Sequence, residues 1–519
     1  MTTYITQHLH RAIRHKPNHL ATVFGDRRKT YGELGVRVSK LAGGLKAIGV
    51  KPGDRVGILA MNSDRYLEVF LATFWAGGVI NPVNTRWSEK EILFSLDDCS
   101  TEILIVDETF KEFGGRLINT SKTLRKLIYA GDNSPPPGML DYETLIRDSE
   151  PVEDAYREGS DLAGIFYTGG TTGFPKGVML SHDSINAAMV NRLSVSCGPG
   201  PRALHVAPLF HLAACLAMWS QLAIGETHVF LPSFDALSVM EIIQREEVTD
   251  TLIVPTMIQM ILDHPKREEF NLLSLKHIIY GASPISETLL NRFMDALPKT
   301  LLIQGYGMTE LSGCVSFLPP DCHTKEGRLG GKLKSAGFAA ILSEVAIVDN
   351  AGKELPRGEV GEIVARSATA MLGYWNRPEE TASTLRNGWL HTGDMAYMDA
   401  EGFIFVVDRL KDMIVSGGEN VYSAEVENAI MKHPSVSQCA VIGIPNDQWG
   451  ESVHAAVVLK PGCQLTFEEL VDHCRSLIAG YKCPRSIEFK NELPISATGK
   501  LQKHRLRENF WKQGERRVN

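Results

Sequence analysis

The sequence has no CxxC pair, no uninterrupted apolar run long enough to cross a bilayer, and no surplus of basic charge. Its nine cysteines, at 99, 197, 215, 314, 322, 439, 463, 474 and 483, are scattered and odd in number. That pattern suits neither a disulfide framework nor a structural zinc site, and it points to a reducing cytoplasm. The greasiest stretch, ALHVAPLFHLAACLAMWSQLAIG, is interrupted by His205, Pro208, His211 and Gln221, and the opening MTTYITQHLHRAIRHKP lacks the apolar core of a secretory signal. No transmembrane helix and no leader are expected. A formal net charge of −7 argues against a general nucleic-acid binder, although a phosphate pocket depends on local donors and not on the total. The nucleophile elbow GxSxG and the Gly-Lys-Ser/Thr of a Walker A loop are both missing, which removes two common hydrolase signatures. Internal repeats and low-complexity tracts are missing too.

What is present is a chain of 519 residues, 44% hydrophobic and 22% charged, long enough for several cores and at least two domains. Strand-like apolar runs alternate with helical periods: RVGILA then SDRYLEVFLATFWAGG, HVFLP then SVMEIIQREEV, TLIVP then TMIQMILDH, LKHIIYGA then SETLLNRFMDAL. This rhythm predicts an α/β fold with parallel sheets covered by helices. After Trp389 the elements shorten, through FIFVVDR, AEVENAIMKH, CAVIGIP, HAAVVLK, FEELVDHCRSLI and SIEFKNELP, which reads as a separate small α+β domain. The boundary is expected in DRLKDMIVSGGEN, dividing the chain into residues 1–408 and 409–519.

The strongest single feature is YTGGTTGFPKGV, residues 167–178, directly after the apolar run DLAGIFY. Gly169, Gly170 and Gly173 permit a tight path with inward backbone N–H groups. Thr168, Thr171 and Thr172 add hydroxyls, and Lys176 adds a positive charge. Such a loop at a strand end can wrap a polyphosphate. TGGTTGFPKG resembles the signature loop of the adenylate-forming superfamily of acyl-CoA synthetases, luciferases and peptide-synthetase adenylation domains.

The remaining motifs resemble that family in its order. Gly281, Ala282 and Ser283 match the adenine-binding turn. In QGYGMTE, Gln304, Gly305, Tyr306, Gly307 and Met308 line the nucleotide, with Tyr306 offering a face for adenine, Thr309 a hydroxyl for the α-phosphate and Glu310, helped by Thr168, a ligand for magnesium. Asp394, ending GWLHTGD, matches the ribose-binding carboxylate and Arg409 a second ribose contact. Lys411 matches the hinge, Ser416, Gly417, Gly418 and Glu419 the coenzyme A side, and Lys500 in PISATGKLQK the catalytic lysine. The resemblance spans nearly the whole chain. It implies a large amino-terminal domain of parallel-rich sheets with a β-barrel-like subdomain, and a small mobile carboxy-terminal domain.

It also implies a chemistry: a carboxylic acid attacks the α-phosphorus of ATP, and a thiol then takes the acyl group. Two anions must meet, so Lys500, magnesium and the threonine loop are needed to offset their repulsion, and no protein nucleophile is. The expected enzyme is an AMP-forming acyl-CoA synthetase using ATP, Mg2+ and coenzyme A, working on a medium- or long-chain fatty acid, with an aryl acid as the alternative. The acyl pocket is expected beside His211, Thr256, Met308 and Val315; neighbours such as Ala213, Ala214, Met257 and Cys314 make it apolar, and no cationic partner for a second carboxylate stands out. Rival readings are a carrier-protein-loading enzyme, a luciferase-like oxygenase and a non-catalytic adenylate binder. The retention of Glu310 and Lys500 argues against the last, and the short tail RENFWKQGERRVN against a fused carrier domain. A homodimer is a further expectation.

Overall fold

Short β-branched runs become central strands, and amphipathic stretches after them become helices. The computed structural model describes residues 3–168, 175–195, 200–281, 285, 287–324, 327, 330–409, 412–416, 419–446, 448–495 and 501–511, with the side chain of Asn420 excepted. All four predicted strand–helix pairs form: Arg55–Leu59 with Asp64–Trp75, Thr227–Phe230 with Ala236–Glu246, Asp250–Leu252 with Pro255–Leu262, and His277–Gly281 with Glu287–Ala296. Strand Ile103–Val106 is buried at every position, the pattern of a strand covered on both faces.

The described residues form four sheets. The eight-stranded sheet runs in the order 373–374, 176–181, 162–168, 79–82, 55–59, 103–106, 126–129, 140–141. It is parallel from 162–168 onward, while Lys176–Ser181 turns back antiparallel on Leu162–Thr168. The nine-stranded sheet has a parallel centre from Leu301–Tyr306 through 277–281, 250–252, 202–205 and 227–230 to Leu20–Phe24, with antiparallel strands at its edges. A five-stranded sheet of Ser343–Val348, Gly361–Ser367, Trp389–Met398, Leu385–Arg386 and Ile404–Arg409 is the half-barrel. The last sheet joins Glu419–Val421, Ile414–Ser416, Gly450–Leu459, Val436–Asn446 and Ser486–Phe489.

The chain divides into two units, Met1–Val345 with Ala365–Leu390, and Ala346–Val364 with His391–Asn519. In the first, the main core cluster gathers Tyr66, Phe70, Phe74, Phe166 and Trp219, and a second cluster lies under the helices of the nine-stranded sheet. In the second, Val421, Val426, Val441, Val453 and Leu470 pack between its sheet and the helices Ser423–Ile430 and Phe467–Arg475. Capping boxes start several helices; Thr30 and Glu33 satisfy each other's backbone N–H groups, as do Thr466 and Glu469. Among the described residues no helix is long and apolar enough to cross a membrane.

Candidate active site

In the first unit the motif residues gather at the carboxy ends of parallel strands. Strand His277–Gly281 lies beside Leu301–Tyr306 in a register that pairs Tyr280 with Gln304 and Gly281 with Gly305. A Cβ on Gly281 would sit 2.4 Å from the Gly305 carbonyl oxygen, and one on Gly307 would sit 1.9 Å from that of Gly313, so backbone against backbone demands glycine at both. Tyr306 and Met308 lean on the main core cluster, and Gln304 Oε1 is buried with no hydrogen-bond partner among the described residues. That acceptor is available to a ligand N–H.

Met308 caps the short turn Thr309–Leu311, which carries Glu310. Glu310 is only 8% exposed; Tyr374 OH donates to its Oε1 over 2.8 Å, and its carbonyl accepts from Met371 N over 2.8 Å. Lys176 pairs with Glu380, and its Nζ stands 5.2 Å from the centre of the Tyr374 ring. One tyrosine therefore supports both the candidate phosphate lysine and the candidate metal carboxylate. Burial and the nearby Glu310 charge push the Tyr374 hydroxyl well above its ordinary range, so it stays a donor. Neither Tyr374 nor Glu380 was singled out from the sequence; the only local signal is the aromatic-then-acidic string GYWNRPEET.

Thr168 and Lys176 face each other across the antiparallel pair and form the root of the threonine loop. Gly169, Gly170, Thr171, Thr172 and Gly173 lie outside the described residues, as do Ala282 and Ser283. The root is tied down from behind: Tyr167 OH donates to Asp98 Oδ2 over 2.7 Å, and Trp375 Nε1 donates to the Asp98 carbonyl over 2.9 Å. Of the acyl-pocket residues, His211 stands at the N-cap of helix Leu212–Ile224 with its ring tilted 53° against that of Phe210, Val315 is fully buried, and Thr256 is exposed.

The second unit carries the other motifs. Asp394 and Arg409 are cross-strand partners, with Arg409 Nε 3.3 Å from Asp394 Oδ1, so the expected ribose pair is preassembled. Glu362 orients this turn by accepting from Gly393 N at 3.0 Å and bonding His391 Nδ1 at 2.7 Å. Ser416 is buried and pairs with exposed Glu419; Gly417 and Gly418 between them, and Lys411, lie outside the described residues. Lys500 also lies outside them, but both sides of its segment are described. Ile495 bridges Leu501, Gln502 N donates to the Pro494 carbonyl over 2.7 Å, and Leu501 packs against the cluster holding Leu493 and Leu506. Lys503 then bonds Ser423 Oγ at 2.6 Å and pairs with Glu427 at 2.8 Å. Burial opposes its charge, but Glu427, Asp408 and Asp412 outweigh burial and hold Lys503 above the ordinary lysine value.

The sequence model of the AMP-binding enzyme family matches residues 9–375, and that of its carboxy-terminal domain matches residues 425–500. The chain belongs to the AMP-binding enzyme family. Feruloyl-CoA synthase of Amycolatopsis sp is 39% identical over 502 residues, 96% of this chain and 98% of that protein. The long-chain-fatty-acid–CoA ligase FadD13 of Mycobacterium tuberculosis (strain ATCC 25618 / H37Rv) is 33% identical, covering 93% of this chain and 94% of its own. The crystal structure of the anthranilate CoA ligase AuaEII in complex with anthranoyl-AMP superposes with a TM-score of 0.89 at 29% identity, covering 98% of this chain and 97% of that one. This AMP-binding enzyme is an AMP-forming acid–CoA ligase that uses ATP and coenzyme A. No group of three or more His, Cys, Asp or Glu side chains among the described residues forms a metal cage. A lone buried carboxylate with one oxygen engaged by Tyr374 fits a magnesium ion that arrives with ATP, since magnesium takes one or two protein ligands and completes its shell with phosphates and water.

Proposed function

We propose that the enzyme runs two half-reactions at these groups. An oxygen of the acid attacks the α-phosphorus, the bond to pyrophosphate breaks, and acyl-AMP forms; the coenzyme A thiol, losing its proton, then attacks the acyl carbon and AMP leaves. The observation that carries this reading is the alignment of Lys176, Tyr374 and Glu310, a cation and a carboxylate fixed on one phenol at the root of the threonine loop. Lys176 and the loop donors receive the β- and γ-phosphates, and Thr309 the α-phosphate. Magnesium bound through Glu310 and Thr168 would screen the phosphate charge as pyrophosphate departs. Asp394 accepts from the ribose hydroxyls with Arg409 beside it, and Lys500 joins the acid's carboxylate to the α-phosphate. Residues 409–519 act as the moving piece about Lys411, with Ser416, Gly417, Gly418 and Glu419 on the coenzyme A side.

For the acid, the relatives' names span feruloyl, long-chain fatty and anthranilate substrates, and all are consistent with a largely apolar pocket at His211, Thr256, Met308 and Val315. We favour the aryl alternative over the fatty acid, on the relative with 39% identity. The eight cysteines among the described residues are free, which supports a reducing, cytoplasmic location. The test is pyrophosphate release over alkyl acids of increasing length and aryl acids, each with and without coenzyme A. Acid-dependent release with a coenzyme A thioester supports the reading; release without a thioester would move the acceptor to a carrier protein.

A further inference from the structure

Within the second unit an unbroken polar connection runs from the expected ribose pair to the residues that follow Lys500. Asp408, beside Arg409 at the end of strand Ile404–Arg409, is 7% exposed. Its Oδ2 accepts from both the backbone N and the hydroxyl of Ser423, the latter over 2.7 Å. Ser423 is fully buried, and its hydroxyl accepts in turn from Lys503 Nζ over 2.6 Å. Lys503 also meets Glu427 at 2.8 Å, and Glu427 accepts from Val441 N over 2.7 Å, which ties the connection to the sheet.

A second cation works from the same helix. Arg507 stands four positions after Lys503 on helix Lys503–Arg507, hence on the same face, and pairs with Asp412 at 2.7 Å. The two cations thus hold Asp412 directly and Asp408 through Ser423, and these are the aspartates on either side of Arg409. Leu506 seats the helix against Ala440, Ile442 and Ala456, and Leu501 packs on the same cluster. The bridge between Ile495 and Leu501 fixes both ends of the stretch that contains Lys500.

Stability alone explains this arrangement poorly. Taking two charges out of water costs about as much as their pairing returns, so apolar side chains of the same shape would serve a core as well. Directional contacts do something apolar packing does not: they set the distance and angle between the elements they join, and small errors in such settings slow a reaction strongly.

We propose that Lys503 and Ser423 are positioning residues for adenylation, locking the Lys500 segment to Asp408 and through it to the ribose pair Asp394 and Arg409. The ribose contacts and the lysine then reach the nucleotide as one registered piece. The inference rests on the adenylation reading above and adds to it two residues that act through Lys500 without touching substrate.

The test places Lys503→Met and Ser423→Ala in the full chain, each with and without Lys500→Ala. Two rates are read with the best acid of the series above: acyl-AMP formation, and thioester formation from supplied acyl-AMP. Lys503→Met is expected to slow acyl-AMP formation about 10- to 100-fold and Ser423→Ala by less, with thioester formation within about twofold of the parent rate. On top of Lys500→Ala, neither should cost more than about a further twofold, because the group they aim is gone. Equal loss in both half-reactions, a full further loss beyond Lys500→Ala, or an unchanged rate in Lys503→Met would mark the network as a plain support of the fold and overturn the proposal. If Lys503→Met does not fold, Ser423→Ala, which keeps the ion pair with Glu427, decides by the same criteria. A parent enzyme that releases no pyrophosphate with any acid of the series would overturn the adenylation reading itself, and this role with it.

Discussion

The two units hold their candidate site residues in opposite ways. In the first, Glu310 and the QGYGMTE backbone follow a parallel strand and Lys176 opens the antiparallel strand paired to Thr168, all braced from behind by Tyr374, Asp98 and the main core cluster. In the second, Asp394 and Arg409 and the residues flanking the Lys500 segment are supported by polar contacts: Glu362 accepts from Gly393 N, and Lys503 pairs with Glu427. On the proposed reading, the strand ends of the first unit would give ATP a rigid cradle. On the same reading, the groups of the second unit would be carried from one half-reaction to the next. The division matches the chemistry, because the nucleotide must stay while the partner of the acyl carbon changes.

The sharpest way to break this comparison is Lys500→Ala. Adenylate formation is expected to fall about 10³-fold, the scale for removing a group that stabilises transition-state charge, while thioester formation from supplied acyl-AMP is spared. Separate half-reaction rates read the two steps, and equal loss in both would contradict a delivered lysine. On the rigid side, Tyr374→Phe removes the donor that aims Glu310 but keeps the ring under Lys176. Hydrogen bonds to charged groups contribute roughly 1.5–3 kcal/mol, so kcat for pyrophosphate release should drop about 10- to 100-fold and the magnesium requirement should rise. A magnesium titration of the variant checks both.

Buried titratable groups should give the two units partly different pH dependences, although burial also lowers His433 and His454 in the second. His182 in the first unit is 1% exposed and brought down to about 4 by burial, and His205 to about 3. The unfolded chain takes up protons at these sites below the ordinary value of 6.5 while the folded chain does not, so stability is lost as pH falls from 6.5, by up to about 3 kcal/mol for His182 alone. Lys503 runs the other way. Its folded value is raised above 10.5, so its contribution is full below 10.5 and disappears as pH climbs through the raised value. Hydrogen exchange along the intact chain should show the first unit loosening on the acid side and the segment around Lys503 on the alkaline side.

Much of the fold was legible in the sequence. The strand–helix alternation predicted the parallel sheets because a period of two followed by a period of 3.6 allows few other arrangements. The motifs stood out in the sequence because glycine, threonine and lysine at that spacing suit phosphate geometry and resemble the family's loop. Their braces were not. Tyr374 reaches Glu310 across 64 positions, and nothing near GYWNRPEET says which carboxylate it will meet. The brace behind the loop root escaped for the same reason: Trp375 reaches the Asp98 carbonyl across 277 positions. Tertiary pairing of polar groups has no period, so local pattern does not carry it.

Glu380 supplies the gentlest test, and it asks how rigid the first unit's cradle is before ATP arrives. Lys176 pairs with Glu380, but a polyphosphate needs the same ammonium. Each side chain is about a third exposed, 30% for Lys176 and 38% for Glu380, so the pair contributes at most about 1 kcal/mol. Glu380→Gln should therefore release Lys176 and lower the KM for ATP about two- to fivefold, with kcat little changed. The salt dependence of that KM should change as well, because a carboxylate no longer competes with phosphate for the lysine. A rise in KM would mean that Glu380 aims Lys176 at the phosphates instead of holding it away from them. The first unit would then be preorganised to the last side chain, which would widen the contrast with the second.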